Sequence, residues 1–156
     1  MSEIKYIQLK ELLDANQNII ETIKTQYLLL LSELTVTNYI ETSLFVKNVE
    51  RISETGAIIV GVINNSPNDI EIIASGTIII EPKIIREGRN VGHIEDIVVS
   101  KEMRGKGISQ QILDILKSIA REKNCYKVIL DCDENVKNVY IKNGFNIKGF
   151  QMSEYF

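Results

Sequence analysis

The sequence predicts an α/β (α+β) domain, one mixed β-sheet covered by helices, with residues 1–156 forming a single unit. Three observations predict it. β-Branched runs fill the middle of the chain, an amphipathic stretch of helical period follows from Ser109, and strand and helix patterns then alternate to the end.

A short strand is predicted over residues 5–9, followed by a helical region in which Leu12, Leu13, Ile19, Ile20, Ile23, Tyr27 and Leu28 are spaced for one apolar face. A second helix is predicted over 38–51, with 32–37 a polar connection. Residues 57–63 and 71–80 read as an antiparallel hairpin, because Asn64, Asn65, Ser66, Pro67, Asn68 and Asp69 supply turn chemistry between them. The loop 81–91 gathers Lys83, Arg86 and Arg89 around Pro82 and Gly88, and a strand is predicted over 92–99.

From Ser109 the residues Ile112, Ile115, Leu116, Ile119 and Ala120 recur at helical spacing while Gln111, Lys117, Ser118 and Arg121 take the other faces. A buried strand over 126–132, a short helix over 135–142 ended by Asn143 and Gly144, and a last strand over 145–156 complete the order.

Composition removes several function classes. Apolar residues at 44% and charged residues at 25%, with two prolines and no low-complexity tract, exclude a disordered or fibrous chain. The net charge of −3 carries no run of Lys or Arg, so neither a nucleic-acid face nor a polybasic membrane anchor is expected. The longest apolar run, Leu28 to Leu31, is far too short to span a bilayer, and the first eight residues lack the order of a signal peptide; a cytoplasmic location is expected. Cys125 and Cys132, on what reads as one strand, are too far apart to bridge and are expected reduced and buried. His93 is the only histidine, and the Pro-Cys-x-x-Cys that would make His93-Ile94-Glu95 a zinc site is absent, so no metal is expected and His93 reads as structural.

The informative stretch runs from Val98 to Ser109, where a hydrophobic strand enters a loop with Arg104, Gly105, Lys106 and Gly107 and passes straight into the amphipathic helix. The first turn of a helix leaves about four backbone N–H groups unpaired at the positive end of its dipole. Glycines there let the backbone come close to a ligand, so the segment reads as a cradle for an anion such as a diphosphate. The Rossmann and Walker patterns fit poorly: the third glycine of the first is missing, and the second needs Ser or Thr directly after Gly-Lys.

This segment resembles the GNAT superfamily of N-acetyltransferases, whose Arg/Gln-x-x-Gly-x-Gly/Ala signature opens a helix on the pyrophosphate of acetyl-coenzyme A. The resemblance sharpens in two flanking blocks, Gly92-His93-Ile94-Glu95-Asp96-Ile97-Val98-Val99 and Asn124-Cys125-Tyr126-Lys127-Val128-Ile129-Leu130-Asp131-Cys132. Both are similar to the glucosamine 6-phosphate N-acetyltransferases. With Pro82 to Arg86 and Asn138 to Phe145 added, the similarity covers about half the chain; residues 31–35 match loosely.

The resemblance implies the GNAT fold: a central mixed, mostly antiparallel sheet flanked by helices, with a splayed parallel strand pair for the cofactor. It implies acetyl-CoA as cosubstrate, held by Ile97, Val98 and Val99 through the open strand edge, by Arg104, Gly105, Lys106, Gly107, Ile108 and Ser109 at the helix start, and by Tyr140 at the sulfur. It also implies an amino-sugar phosphate contacted by Ser32, Lys83, Ile84, Ile85, Arg86, Glu95, Asp96, Ile97, Tyr126, Lys127 and Asp131. Glu95, Asp96, Asp131 and Tyr140 form the expected catalytic set. Direct transfer in a ternary complex, a product that feeds UDP-N-acetylglucosamine synthesis, and a homodimer with shared active sites follow from the same resemblance.

The residues themselves supply part of the chemistry. Glu95 and Asp96 sit side by side in a hydrophobic strand, are expected on opposite faces, and at least one is costly to bury without a partner. An amine attacks only as the free base, so a carboxylate must take its proton directly or through water, with Asp131 and Glu95 both candidates. A phenol at the sulfur would ease loss of the thiolate. Two features depart from the family: Ser109 stands where most members have glycine, and 151–156 lack the arginine that relatives place near the phosphate, so either Arg86 or Arg89 compensates or phosphate affinity is low. That absence leaves open another small amine as acceptor, such as an aminoglycoside, a polyamine or free glucosamine. A non-catalytic acetyl-CoA-binding module would give the carboxylates and Tyr140 no purpose.

Overall fold

The computed structural model describes residues 3–66 and 69–156. The elements run β1 (Ile4–Gln8), α1 (Leu9–Ala15), α2 (Ile20–Leu31), α3 (Thr42–Thr55), β2 (Ala57–Ser66), β3 (Asp69–Pro82), β4 (Asn90–Val99), α4 (Ile108–Glu122), β5 (Cys125–Ile129) and α5 (Lys137–Lys142). The strands form one sheet in sequence order, antiparallel except for the β4–β5 pair, which is parallel. This is the mixed, mostly antiparallel sheet that the sequence predicts. β2 and β3 make the expected hairpin, though Pro67 and Asn68 of its turn lie outside the described residues.

Two apolar layers hold the sheet. On one face Leu9, Leu13, Ile23, Tyr27, Leu30, Phe45 and Val49 of α1–α3 pack on Ile58, Val60, Val62, Ile72 and Val98. On the other Ile108, Ile112, Leu113, Leu116 and Ala120 of α4 pack on Ile59, Ile73, Ile78, Ile80 and Ile94. Strand residues alternate between the layers because successive side chains point to opposite faces, and the helical period of α4 puts its five buried residues on one stripe.

Several boundaries differ from the sequence expectation, each for a physical reason. The first helical region is two helices, because Asn16 breaks it: its backbone N–H and its side-chain amide donate to Leu13 O and Leu12 O and close α1. The second helix starts at Thr42 rather than near 38, because the buried Lys24 Nζ holds the preceding segment extended. It donates to Ile40 O at 3.2 Å and Thr42 Oγ1 at 2.7 Å, pairs with Glu21 at 3.0 Å, and lies 5.1 Å from the Tyr39 ring centroid.

β5 ends at Ile129, short of the expected 132, because the chain there parts from β4. Cys132 is consequently exposed, contrary to the expectation of burial, while Cys125 is half-buried; both are free thiols. The strand expected over 145–156 is absent. These residues have no regular structure, and Phe150, Met152, Tyr155 and Phe156 stand almost fully in solvent, since no strand of the described chain pairs with them. No helix among the described residues is long and apolar enough to cross a membrane.

Candidate active site

The site begins where the parallel pair opens. Pairing with β5 stops at His93 opposite Ile129, so among the described residues β4 has no neighbour on that side from Ile94 to Val99. Ile97, Val98 and Val99 therefore lie on an open edge of the kind an extended ligand arm can pair with, on which Val99 O already accepts from Arg104 Nε.

β4 also carries a bulge. Thr77 pairs with Glu95 and Ser75 with Val98, leaving Gly76 alone opposite both Asp96 and Ile97. Asp96 sits at φ 52°, a left-handed conformation that Asp tolerates better than most residues. Gly76 is required at that point, since a Cβ would lie 2.5 Å from Ile112 Cγ2 and 2.6 Å from Ile97 Cδ1. The bulge corrects the expectation of strict alternation at Glu95 and Asp96. Ile94 and Val98, which a regular strand would put on one face, pack on opposite layers, and both carboxylate residues are exposed rather than one buried.

Glu95 and Asp96 lie on the open stretch of β4, and the charge of Asp131 reaches Glu95. Desolvation raises the Glu95 carboxyl above its ordinary value, the nearby charges of Asp96 and Asp131 raise it further, and His93 opposes them in part. Asp96 is raised by desolvation alone. His93 Nε2 meets Glu81 Oε2 at 2.6 Å, and Glu81 also holds Lys83. The Tyr140 phenol is raised chiefly by burial and then by Cys132, so it remains a protonated donor at neutral pH. Beneath the bulge Tyr27 is buried close to the Ser75 and Thr77 hydroxyls and feels the Asp96 charge; Ser75 Oγ makes no hydrogen bond of ordinary geometry.

The glycine loop has the conformation the cradle needs. Gly105 and Gly107 lie at φ 77° and 75°, with no atom within 4 Å of where a Cβ would be, and Gly107 caps α4. The first helical bond runs from Gln111 N to Gly107 O, so the amides of Ile108, Ser109 and Gln110 ahead of it have no helical partner. These residues suit a diphosphate: open space, left-handed glycines and aligned N–H donors. Lys106 Nζ approaches Met103 Sδ at 3.3 Å. Arg104 is engaged within the chain, its Nε donating to Val99 O at 3.0 Å and its Nη2 to Glu33 Oε2 at 3.3 Å.

A cationic group gathers on the Tyr126 ring. Arg86 and Lys127 each lie 5.6 Å from the Tyr126 ring centroid. Arg89 donates to Cys125 O at 3.1 Å, which ties it to β5 and leaves Arg86 the freer guanidinium. Ile84 and Ile85 are exposed on the same loop. The Ser32 hydroxyl donates to Leu29 O at the end of α2. Sequence reasoning missed Glu33 and the Tyr27, Ser75, Thr77 group, whose partners lie many residues away, and Glu81, whose pairing with His93 is made across the β3–β4 ladder.

Residues 28–145 match the model of the acetyltransferase (GNAT) family. The chain belongs to the acetyltransferase (GNAT) family. The match spans every element from the end of α2 through α5, and so contains the open β4 edge, the glycine loop and Tyr140. Among proteins similar to this GNAT chain, glucosamine 6-phosphate N-acetyltransferase of Arabidopsis thaliana is 35% identical over 156 residues, 100% of this chain and 99% of that protein. A probable glucosamine 6-phosphate N-acetyltransferase 2 of Oryza sativa subsp. japonica is 46% identical over 85 residues, 54% of this chain and 51% of that protein. The GNAT chain thus aligns with about half the length of the rice relative and nearly all of the Arabidopsis one. The crystal structure of the glucosamine-6-phosphate N-acetyltransferase from Arabidopsis thaliana superposes with a TM-score of 0.83 at 32% identity, covering 99% of each chain.

Proposed function

We propose that this chain transfers the acetyl group of acetyl-CoA to the amine of D-glucosamine 6-phosphate, giving N-acetyl-D-glucosamine 6-phosphate and free coenzyme A. The observation that carries this is an open β4 edge that bears Glu95 and Asp96 and leads to the glycine loop. Full-length similarity to a glucosamine 6-phosphate N-acetyltransferase supports the acceptor.

The residues divide the work as follows. The amides from Gly105 to Ser109 hold the diphosphate, with Lys106 and Arg104 adding charge, and the free edge of Ile97 to Val99 aligns the pantetheine arm. A backbone N–H at Ile97 polarises the thioester carbonyl. Glu95 takes the amine proton, directly or through water, because its raised pKa makes it the stronger base once ionised. Asp96 and Asp131 orient the amine and hydroxyls. As the new C–N bond forms and the C–S bond breaks, Tyr140 supplies a hydrogen bond or proton to the leaving sulfur. Arg86 and Lys127, with Lys83, Ile84, Ile85 and Tyr126 around them, receive the sugar phosphate.

Residues 1–156 act as one domain in the cytoplasm, and the product supplies UDP-N-acetylglucosamine synthesis. The apolar tail with Phe150, Met152, Tyr155 and Phe156 in solvent supports a homodimer in which each tail covers the partner and completes its sugar site. Thiol release from acetyl-CoA, followed with glucosamine 6-phosphate, glucosamine, spermidine and no acceptor, tests the reading. Turnover confined to the phosphorylated sugar is expected; equal turnover with an unphosphorylated amine overturns it.

A further inference from the structure

We propose that Glu33 is a positioning residue for the coenzyme loop, acting through Arg104 and the Lys101 amide rather than on any substrate atom. Glu33 lies just past α2, which packs on the sheet face opposite α4, yet its Oε2 accepts from Lys101 N at 2.9 Å and from Arg104 Nη2 at 3.3 Å. The segment between β4 and α4 has few other fixed points. Ser100 N donates to Ile73 O at 2.8 Å, Met103 N to Ser100 O at 2.9 Å, Arg104 N to Lys101 O at 3.4 Å and Arg104 Nε to Val99 O at 3.0 Å, and Met103 packs on the α4 layer. Beyond Arg104 come Gly105 and Gly107, which face open space and contribute no restraint of their own.

Lys101 opens a single helical turn whose preceding residue, Ser100, makes no side-chain cap bond. Glu33 supplies that cap from a distant element, and the same oxygen fixes the guanidinium that bridges back to Val99 O. One carboxylate thereby sets both the start of the turn and the side chain immediately before the first glycine. Its charge has the wrong sign for a direct diphosphate ligand, so a contribution to coenzyme binding must come through geometry. The two effects oppose each other: charge alone makes Glu33 weaken coenzyme binding, positioning makes it strengthen binding.

The inference rests on the coenzyme site of the proposed function, and calorimetry with coenzyme A alone separates the two, since no acceptor is needed. If the wild-type chain does not bind coenzyme A, the proposed function fails. If it binds, Glu33→Ala is expected to weaken binding five- to tenfold, with KM for acetyl-CoA rising in proportion and kcat changing less. Glu33→Gln, which keeps an oxygen for the Lys101 N–H, recovers most of the loss. Arg104→Ala in the Glu33→Ala background costs less than the sum of the two single changes, because the Glu33–Arg104 linkage is common to both. Should alanine disturb folding, Glu33→Lys serves, and is expected to weaken binding despite its favourable charge. Coenzyme binding that is unchanged or tighter in Glu33→Ala or Glu33→Lys, or additive losses with Arg104→Ala, overturns the proposal.

Discussion

The ring of Tyr140 meets that of Phe145 edge to face, with centroids 6.0 Å apart and planes at 85°. Both pack on the layer built by α4, so a phenol from the short α5 is held in one orientation while its hydroxyl stays protonated. Tyr140→Phe preserves that packing and removes only the donor. It should leave the thermal midpoint within about two degrees and lower kcat about a hundredfold or more, with small changes in either KM. Steady-state kinetics with both substrates varied checks this, and an unchanged kcat removes Tyr140 from the sulfur.

Glu95 must be ionised to accept a proton, and its folded-state pKa lies above the ordinary 4.5. The acid limb of kcat/KM should therefore fall at higher pH than a free glutamate would give, and Glu95→Gln should abolish that limb along with most turnover. Stability runs the other way. A carboxyl whose folded pKa is raised stabilises the fold fully below its unfolded pKa and loses that contribution as pH rises through the folded value. Glu95→Gln should thus raise the melting temperature at pH 7, with the gain vanishing below about pH 4.

Asp96 combines a raised carboxyl with a left-handed backbone. Asp96→Asn tolerates that conformation and should keep the fold while losing activity. Asp96→Ala should cost about 1 kcal/mol relative to Asp96→Gly, because Cβ crowds the following carbonyl at positive φ. Urea denaturation of the three variants gives the order directly; equal stability of Ala and Gly would show that the backbone relaxes.

Arg86 and Arg89 are three residues apart but differently engaged, one against the Tyr126 ring and the other on Cys125 O. Arg86→Ala should raise KM for glucosamine 6-phosphate about tenfold and leave KM for acetyl-CoA unchanged. Arg89→Ala should act mainly on stability, through the loss of its tie to β5. The reverse pattern would assign the phosphate to Arg89.

Period and punctuation in the sequence are enough for most of the fold. Ile112, Leu116 and Ala120 announce α4 through burial on one stripe, and the β-branched runs of β2 and β3 can be read directly. The left-handed turn before α4 is equally plain, since Gly105 and Gly107 are local signals with local consequences. What stays hidden depends on distant partners. Nothing near Lys24 says that it will bond to Ile40 O and delay α3, and nothing near Glu33 points to Lys101. The bulge at Asp96 depends on Gly76 across the sheet, so a reading of β4 alone gives regular alternation. The tail misled for a related reason: its apolar residues read as a strand, but a strand needs an edge to pair with.

In register terms Asp96 is a supernumerary residue. Removing it would set Ile97 opposite Gly76 and leave Ile94, Val98 and Val99 on their present layers, so an ordinary five-strand ladder is available to a chain one residue shorter. Such a deletion should yield a flatter and sturdier sheet that has lost an acidic group beside the β4 opening. The extra position adds nothing to the ladder, and the role left for it is the one proposed for Asp96 at the acceptor amine.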